Sequence, residues 1–332
     1  MKKYLRFIVL GLAVCGLAAC AGGPYPRGAA GILVFQSDFS LKDGAVSAMK
    51  GVAIGVDRNL KIYDLTHEIP AYSIWDAAYR FYQTVEYWPA GTVFVSVVDP
   101  GVGTERLSVV LKTKTWQYFV TPDNGTLTLV AEKFGIEEVR QIDEAVNRRL
   151  DSEKSYTFHG RDVYAYTGAR LAAGAISFEQ VGKALPPRVE TIGYQKAAFE
   201  NGALFGNIPI LDVQYGNVWT NIDRAVAEGM GIQTGNVYTV EIFNGAVPVF
   251  KGEMPFCNSF GDVPEGKTLM YYNSLDSLSF AINMGDFAST HGVEYGGEWS
   301  VQISARPANT KPGPQKSPGE RSNPGAKEKG GT

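Results

Sequence analysis

Residues 92–106 read TVFVSVVDPGVGTER. The first seven are β-branched or apolar apart from one serine, which predicts a buried strand over 92–98. The chain then leaves through Asp99, a rigid Pro100-Gly101 turn, a second glycine at 103, and Arg106. A glycine-rich exit lets backbone come close to a ligand, and open α/β sheets take their ligands at the carboxyl ends of strands. The stretch therefore predicts both a fold class and a site.

The same texture continues on either side. Residues 32–35, 61–63, 108–111 and 118–120 read as further strands, and helical patterns fall over 44–56, 74–87, 125–134 and 162–173. Strands alternating with helices imply an α/β domain with a mostly parallel central sheet covered on both faces. After Pro186-Pro187 the pattern changes. Residues 208–213, 218–222, 237–243, 247–250, 268–272, 277–282 and 299–303 are short strands with turn residues between them, and Asn244-Gly245 is a hairpin signal. This predicts a smaller all-β domain, a barrel or sandwich. The expected division is an α/β domain over 31–187 and a β-rich domain over 188–305. At 332 residues, two cores are the default expectation.

The two ends read differently. Lys2, Lys3 and Arg6 precede an apolar stretch over 7–18, too short for a comfortable membrane span, and Leu17-Ala18-Ala19-Cys20 has the small residues of a cleavage site. Residues 1–20 are an expected export signal. The cysteine resembles a bacterial lipobox, which implies lipidation at Cys20 and a lipid-anchored envelope protein, periplasmic or on the outer face. Residues 21–30 would be a linker. Cys15 would leave with the signal and Cys20 would carry the lipid, so Cys257 alone would remain and the mature chain would hold no internal disulfide. Residues 306–332 carry five prolines among polar and small residues, no aromatic and no aliphatic larger than alanine, a composition that predicts disorder.

The net charge of −3 with dispersed Lys and Arg argues against a nucleic-acid surface or a polybasic membrane face. The expected partner is a small molecule, with the membrane reached only through the lipid. No His-x-x-His or cysteine-rich spacing offers a metal site, and no Gly-x-Ser-x-Gly elbow, phosphate loop or GxGxxG fingerprint is present.

Polar groups cluster at the strand exits of the first half. QSDFSLKD delivers Asp38 and Asp43, DLTHEIP delivers His67, DPGVGTER delivers Asp99 and Arg106, and TPDNGTLT delivers Asp123 and Asn124. Any one of these is ordinary turn and cap chemistry. Four together point to a site. One more constellation, TFHGRDVYA over 157–165, places His159 before a turn glycine and an Arg-Asp pair, with Asp162 as the expected N-cap of a helix.

Taken in order, SDFSLKD, MKG, DLTHEIP, GTVFVSVVDPGVGTER, TPDNGTLT, FHGRD, YGNVWTNID and YYNSLDSLSFAINMG resemble the S-adenosylmethionine hydroxide adenosyltransferase family, related to the fluorinases and chlorinases. The resemblance spans roughly residues 31–303. It implies hydrolysis of S-adenosylmethionine to adenosine and methionine, without metal or cofactor, by water or hydroxide attack on the ribose 5′ carbon. It implies catalytic roles for Asp99, Arg106 and His159, with the proton taken by Asp99 or His159. Asp38 matches the family's ribose-binding aspartate, and Tyr72 stands where the halogenating relatives have a tryptophan. Asp212 and Asn217 match residues that grip the methionine end, Ser274 one that holds its carboxylate, and Asn283 the adenine-binding edge. The family also implies a homotrimer, with the ligand between the first domain of one subunit and the second domain of its neighbour.

Leu107, Ser40 and Tyr166-Thr167 depart from the family pattern, and none of them is in the implied triad. Two rival readings stay open. One is a non-catalytic nucleoside-binding envelope lipoprotein, suited to an exported chain whose implied substrate is a cytoplasmic metabolite. The other is a halide-dependent adenosyltransferase.

Overall fold

Along the strand that opens TVFVSVV, alternate residues point to opposite faces, and both faces are apolar. Val93, Val95 and Val97 join one buried cluster with Leu33 and Phe35, whereas Phe94 joins another with Val34 and Phe119. A strand buried on both sides needs cover on both sides. A computed structural model, which describes residues 31–305, has this arrangement. The expected signal, Cys20, the linker over 21–30 and the tail over 306–332 lie outside the described residues. The chain divides into two compact units that meet between Ile192 and Gly193.

The first unit runs β1 (Ile32–Ser37), α1 (Ala45–Val56), β2 (Lys61–Thr66), α2 (Ile74–Thr84), β3 (Val93–Val97), β4 (Ser108–Thr113), β5 (Tyr118–Pro122), α3 (Thr128–Phe134) and β6 (Ile136–Gln141). A π-helical turn, Gly160–Ala165, then leads into α4 (Tyr166–Ala172), and β7 (Ala184–Leu185) closes the sheet. Strand order is β2-β1-β3-β5-β4-β6-β7. The block β2-β1-β3-β5 is parallel, and β4, β6 and β7 extend it with antiparallel pairs. Strand β6 was not anticipated. Its sequence IEEVRQ offers only Val139 to the deep core, so it carries little apolar signal.

Helices α1 and α4 cover one face of the sheet through Val46, Met49, Ala53, Ala169 and Leu171, and α2 and α3 cover the other through Phe81 and Val130. On the second face Phe94 stacks on Phe119 at 5.0 Å between centroids, and Phe81 meets Phe119 edge-on at 5.1 Å. Helix α4 approaches β3 so closely that a Cβ on Gly168 would lie 2.5 Å from Val95 Cγ2. Because β2, β1, β3 and β5 run the same way, their carboxyl ends open on one edge. That edge is where open α/β sheets bind ligands.

The second unit contains β8 (Ala198–Glu200), β9 (Ala203–Asn207), β10 (Ile210–Asp212), β11 (Asn217–Asp223), α5 (Arg224–Glu228), β12 (Val237–Asn244), β13 (Val247–Pro255), β14 (Thr268–Tyr272), β15 (Ser277–Ile282), α6 (Phe287–His291) and β16 (Trp299–Ala305). They form two antiparallel sheets, β10-β11-β15-β14 and β13-β12-β16-β9-β8. Val218 and Phe280 from the first sheet share a core with Val240, Ile242 and Val301 from the second, the pattern of a sandwich. The Asn244-Gly245 hairpin is present: Asn244 pairs with Val247 across a two-residue turn in which Gly245 has φ +56°. The strand expected over 208–213 is interrupted. Pro209 has no N–H to give a ladder, so β10 covers only Ile210–Asp212, and β8 and β9 before it were not anticipated.

Candidate functional site

The four parallel exits are tied in pairs by hydrogen bonds. After β3, the turn of DPGVGTER is closed by Val102 N–H to Asp99 O at 3.2 Å and by Thr104 N–H to Gly101 O at 3.0 Å. After β5, Asn124 Nδ2 donates to Val98 O at 3.0 Å, so the PDNG loop braces the β3 exit. The exits of β1 and β2 are joined by His67. Its Nδ1 lies 2.7 Å from Ser37 Oγ and its Nε2 3.1 Å from Asp64 Oδ1, while Ser40 N–H donates to His67 O. His67 therefore acts as a brace. Asp43 accepts from Ala45 N–H at the start of α1, a helix-start role.

The centre of this edge is a carboxylate, a guanidinium and an imidazole. Arg106 folds back across its own turn so that Nε donates to Asp99 Oδ1 at 2.8 Å and one NH2 hydrogen goes to Asp99 Oδ2. This is the two-point fork that makes Arg–carboxylate pairs directional. The same Arg106 NH2 lies 3.2 Å from His159 Nδ1. His159 arrives from the other end of the unit, on the segment entering the π-helical turn. A Cβ at Gly160 would sit 2.7 Å from Val97 Cγ1, so only glycine lets that turn press against the end of β3. Phe158 packs edge-on against Phe39, 5.7 Å between centroids, and joins the histidine segment to the loop that carries Asp38. His159 thus joins the Asp99–Arg106 pair from 53 residues further along the chain. Asp38 and Tyr72 meet on the same unit, with Tyr72 N–H donating to Asp38 Oδ2 at 2.9 Å. Tyr72 has φ +68° and an exposed side chain.

One local expectation is corrected. Asp162 does not cap a helix. It lies inside the π-helical turn, fully buried, and takes Arg149 Nε at 3.0 Å and Arg161 NH2 at 2.7 Å. Two guanidiniums compensate a buried carboxylate far better than backbone N–H groups at a helix start.

The electrostatics follow from burial and neighbours. Burial draws the His159 pKa below the usual histidine value. Glu144 and Asp99 oppose that shift, and Arg106 and Arg148 reinforce it. For Arg106, burial works downward, but the Asp99 hydrogen bond, with help from Tyr164 and Glu144, holds it above its ordinary value. Burial pushes the Tyr164 hydroxyl far up, so it remains a donor and acceptor. It sits 3.2 Å from Ser108 Oγ and 3.5 Å from Asp99 Oδ2. Tyr164, Ser108, Glu144 and Arg148 were missed as site residues. Tyr164 lies within the quoted TFHGRDVYA, but nothing in that spacing shows that its hydroxyl reaches the β3 exit.

The remaining sequence-derived residues belong to the second unit. Asp212 and Asn217 close the β10–β11 hairpin, and Asn217 Nδ2 donates to Asp212 Oδ2 at 3.1 Å. Gly216 at the hairpin tip has φ +65°, and a Cβ there would lie 1.8 Å from Asp286 Oδ1. Asn283 Nδ2 donates to Val263 O at 2.8 Å. Asp212, Asn217, Ser274 and Asn283 line a cavity of about 690 Å³ whose wall includes Tyr215, Trp219 and Tyr271. That size suits a small organic ligand. Trp219 and Asn273 stand in the same wall. Trp219 stood in the quoted YGNVWTNID but was read only as part of a strand.

Fold and site define a two-unit protein: an open α/β sheet with a polar cluster at its strand exits, and a β-sandwich with a cavity of small-ligand size. Residues 33–182 match the SAM hydroxide adenosyltransferase N-terminal domain and residues 206–300 the C-terminal domain of the same name. The (R)-S-adenosyl-L-methionine hydrolase of Thermus thermophilus is 34% identical over 79% of this chain and 96% of its own. That of Methanocaldococcus jannaschii is 42% identical over 42% of this chain, and the match spans about half of that relative, 52%. A fluorinase of Actinopolyspora mzabensis is 26% identical over 82% of this chain and 97% of its own. The crystal structure of an uncharacterized conserved protein from Thermotoga maritima superposes with a TM-score of 0.76 at 34% identity, covering 82% of this chain and 99% of that one. The chain belongs to the SAM hydroxide adenosyltransferase family.

Proposed function

We propose that this protein hydrolyses S-adenosylmethionine to adenosine and methionine. Family membership and the named hydrolase relatives support the reaction. The observation that carries the assignment of residues is Arg106, which reaches both Asp99 and His159 through one guanidinium. The chemistry needs little else. A sulfonium is a good leaving group, so the protein must orient one water in line with the C5′–S bond and exclude competing solvent. The water oxygen bonds to C5′, the C5′–S electron pair returns to sulfur and removes its positive charge, and the water's proton passes to a side chain and then to solvent. Asp99 and His159 are the groups assigned to that proton, and Arg106 contacts both of them. Asp38 and Tyr72 are assigned to the ribose. Asp212, Asn217 and Ser274 are assigned to the methionine end and Asn283 to the adenine edge.

The test is product analysis with purified protein and S-adenosylmethionine, with and without chloride. Adenosine and methionine in equal amounts, independent of chloride, are expected. A 5′-chlorinated nucleoside would replace the hydrolytic reading with halide transfer. Adenosine formed only at the buffer rate, with ligand retained, would leave a binding protein.

Two further assignments belong to this proposal. The homotrimer implied by the family is expected in sedimentation. Export and lipidation rest on the order of basic leader, apolar stretch and Leu-Ala-Ala-Cys. Cys20→Ser is expected to abolish incorporation of labelled palmitate and release the protein from the membrane fraction. Labelling that persists in the variant would reject Cys20 as the anchor.

A further inference from the structure

The imidazole of His159 lies between two guanidiniums. Arg106 NH2 is 3.2 Å from Nδ1, and Arg148 NH2 is 3.2 Å from Nε2. Each guanidinium is held by its own carboxylate. Asp99 takes Arg106 at two points, and Glu144 Oε2 takes Arg148 NH2 at 2.5 Å. Arg148 NH1 also donates to Ser155 O at 3.3 Å, which fixes the plane of its head group. We infer that Arg148, anchored by Glu144, is a positioning residue that clamps His159 against Arg106 so that the ring serves as a hydrogen-bond acceptor and Asp99 takes the proton from the attacking water.

Donors outnumber acceptors around the ring. Guanidinium N–H groups only donate, and a neutral imidazole offers one lone pair and one N–H. At most one of the two Arg contacts is therefore a hydrogen bond at any moment, and the other ring nitrogen turns its N–H toward a cation. A second proton would make both ring nitrogens donors facing donors, with no acceptor at either. The ring is buried, 6% exposed, so bulk water does not supply the missing acceptor. The charged groups around the ring come from two segments, Asp99 and Arg106 from the β3–β4 turn and Glu144 and Arg148 from the chain after β6, and the neutral hydroxyl of Tyr164 stands behind Asp99. Both carboxylates are already engaged by the same two arginines. The lowered His159 pKa is consistent with this clamp. Asp99, by contrast, keeps free lone pairs beyond its two Arg106 contacts, since each ionised carboxylate oxygen has two acceptor sites.

This rests on the hydrolase reading for its kinetic part, whereas the titration of His159 does not. NMR titration can follow His159 against only two other histidines, His67 and His291. Arg148→Gln removes a neighbouring cation and is expected to move the His159 midpoint up. Glu144→Gln removes a neighbouring anion and is expected to move it down. Arg148→Lys keeps the charge and is expected to stay near the parent midpoint. In kinetics, Arg148→Gln should lower kcat about 10- to 100-fold with KM little changed, the scale known for outer-shell partners of metal-bound imidazoles. Arg148→Lys should restore part of that loss and serves as the folded control. Shifts of the same sign in Arg148→Gln and Glu144→Gln, or no shift in either, would overturn the clamp. A parent protein without hydrolase activity but with opposite shifts would retain the clamp and reject the reaction. A fully active Arg148→Gln would reject the positioning role alone.

Discussion

Asp99→Ala is expected to reduce kcat for S-adenosylmethionine hydrolysis by about 10²- to 10⁴-fold, the range a positioned general base contributes, with substrate affinity nearly unchanged. The separation of the two effects follows from where the groups sit. The residues assigned to ligand binding, Asp38 and Tyr72 on the first unit and Asp212, Asn217, Ser274 and Asn283 on the second, do not depend on Asp99 for any of their hydrogen bonds. Asp99 is engaged with Arg106, and Tyr164 stands near it. Removing it deletes the proton acceptor and frees Arg106 to swing away from His159. Asp99→Asn is the sharper variant. It keeps the volume and one acceptor oxygen but presents an N–H where Arg106 needs a second acceptor, so it should be as inactive as the alanine variant. Single-turnover rates beside calorimetric affinity would check both. Equal losses in rate and affinity would make Asp99 a binding group.

The parts of this molecule that could be read from sequence are those set by short-range patterning. The strand over 92–98 announces itself by an apolar run on both faces, and the exits of β1, β2, β3 and β5 by their Asp, Asn and Gly content. The topology that brings four exits to one edge follows from parallel pairing, which alternation of strands and helices implies. Strand β6 escaped because its edge-side position leaves it mostly polar. Asp162 was misassigned because an N-cap aspartate and a buried paired aspartate look alike until the positions of Arg149 and Arg161 are known. Arg148 and Glu144 are four residues apart, the spacing of an ordinary surface pair. What makes them distinctive is His159 on the far side of the guanidinium, a long-range contact that no local window contains.

Arg106→Leu is expected to destabilise the first unit by about 3 kcal/mol or more, because it strands a carboxylate in a site where breaking one partner of a buried pair is more costly than removing both. The Asp99 side chain is 6% exposed and that of Arg106 12%, so solvent offers little compensation. The double variant Asp99→Leu/Arg106→Leu should recover most of the loss, since two apolar side chains beside the ring of Tyr164 leave no unpaired charge. Neither variant should hydrolyse substrate. Denaturant unfolding of the parent, both single variants and the double variant supplies the cycle. The combination of recovered stability and absent turnover would mean that the ion pair is kept for what it does to a bound water and to His159, at a cost in stability that apolar residues would avoid. If instead the double variant is as unstable as Arg106→Leu, the pair is what holds the DPGVGTER turn in shape. The loss of turnover in Asp99 variants would then be a consequence of a collapsed strand exit, and the assignment of Asp99 as proton acceptor would fall with it.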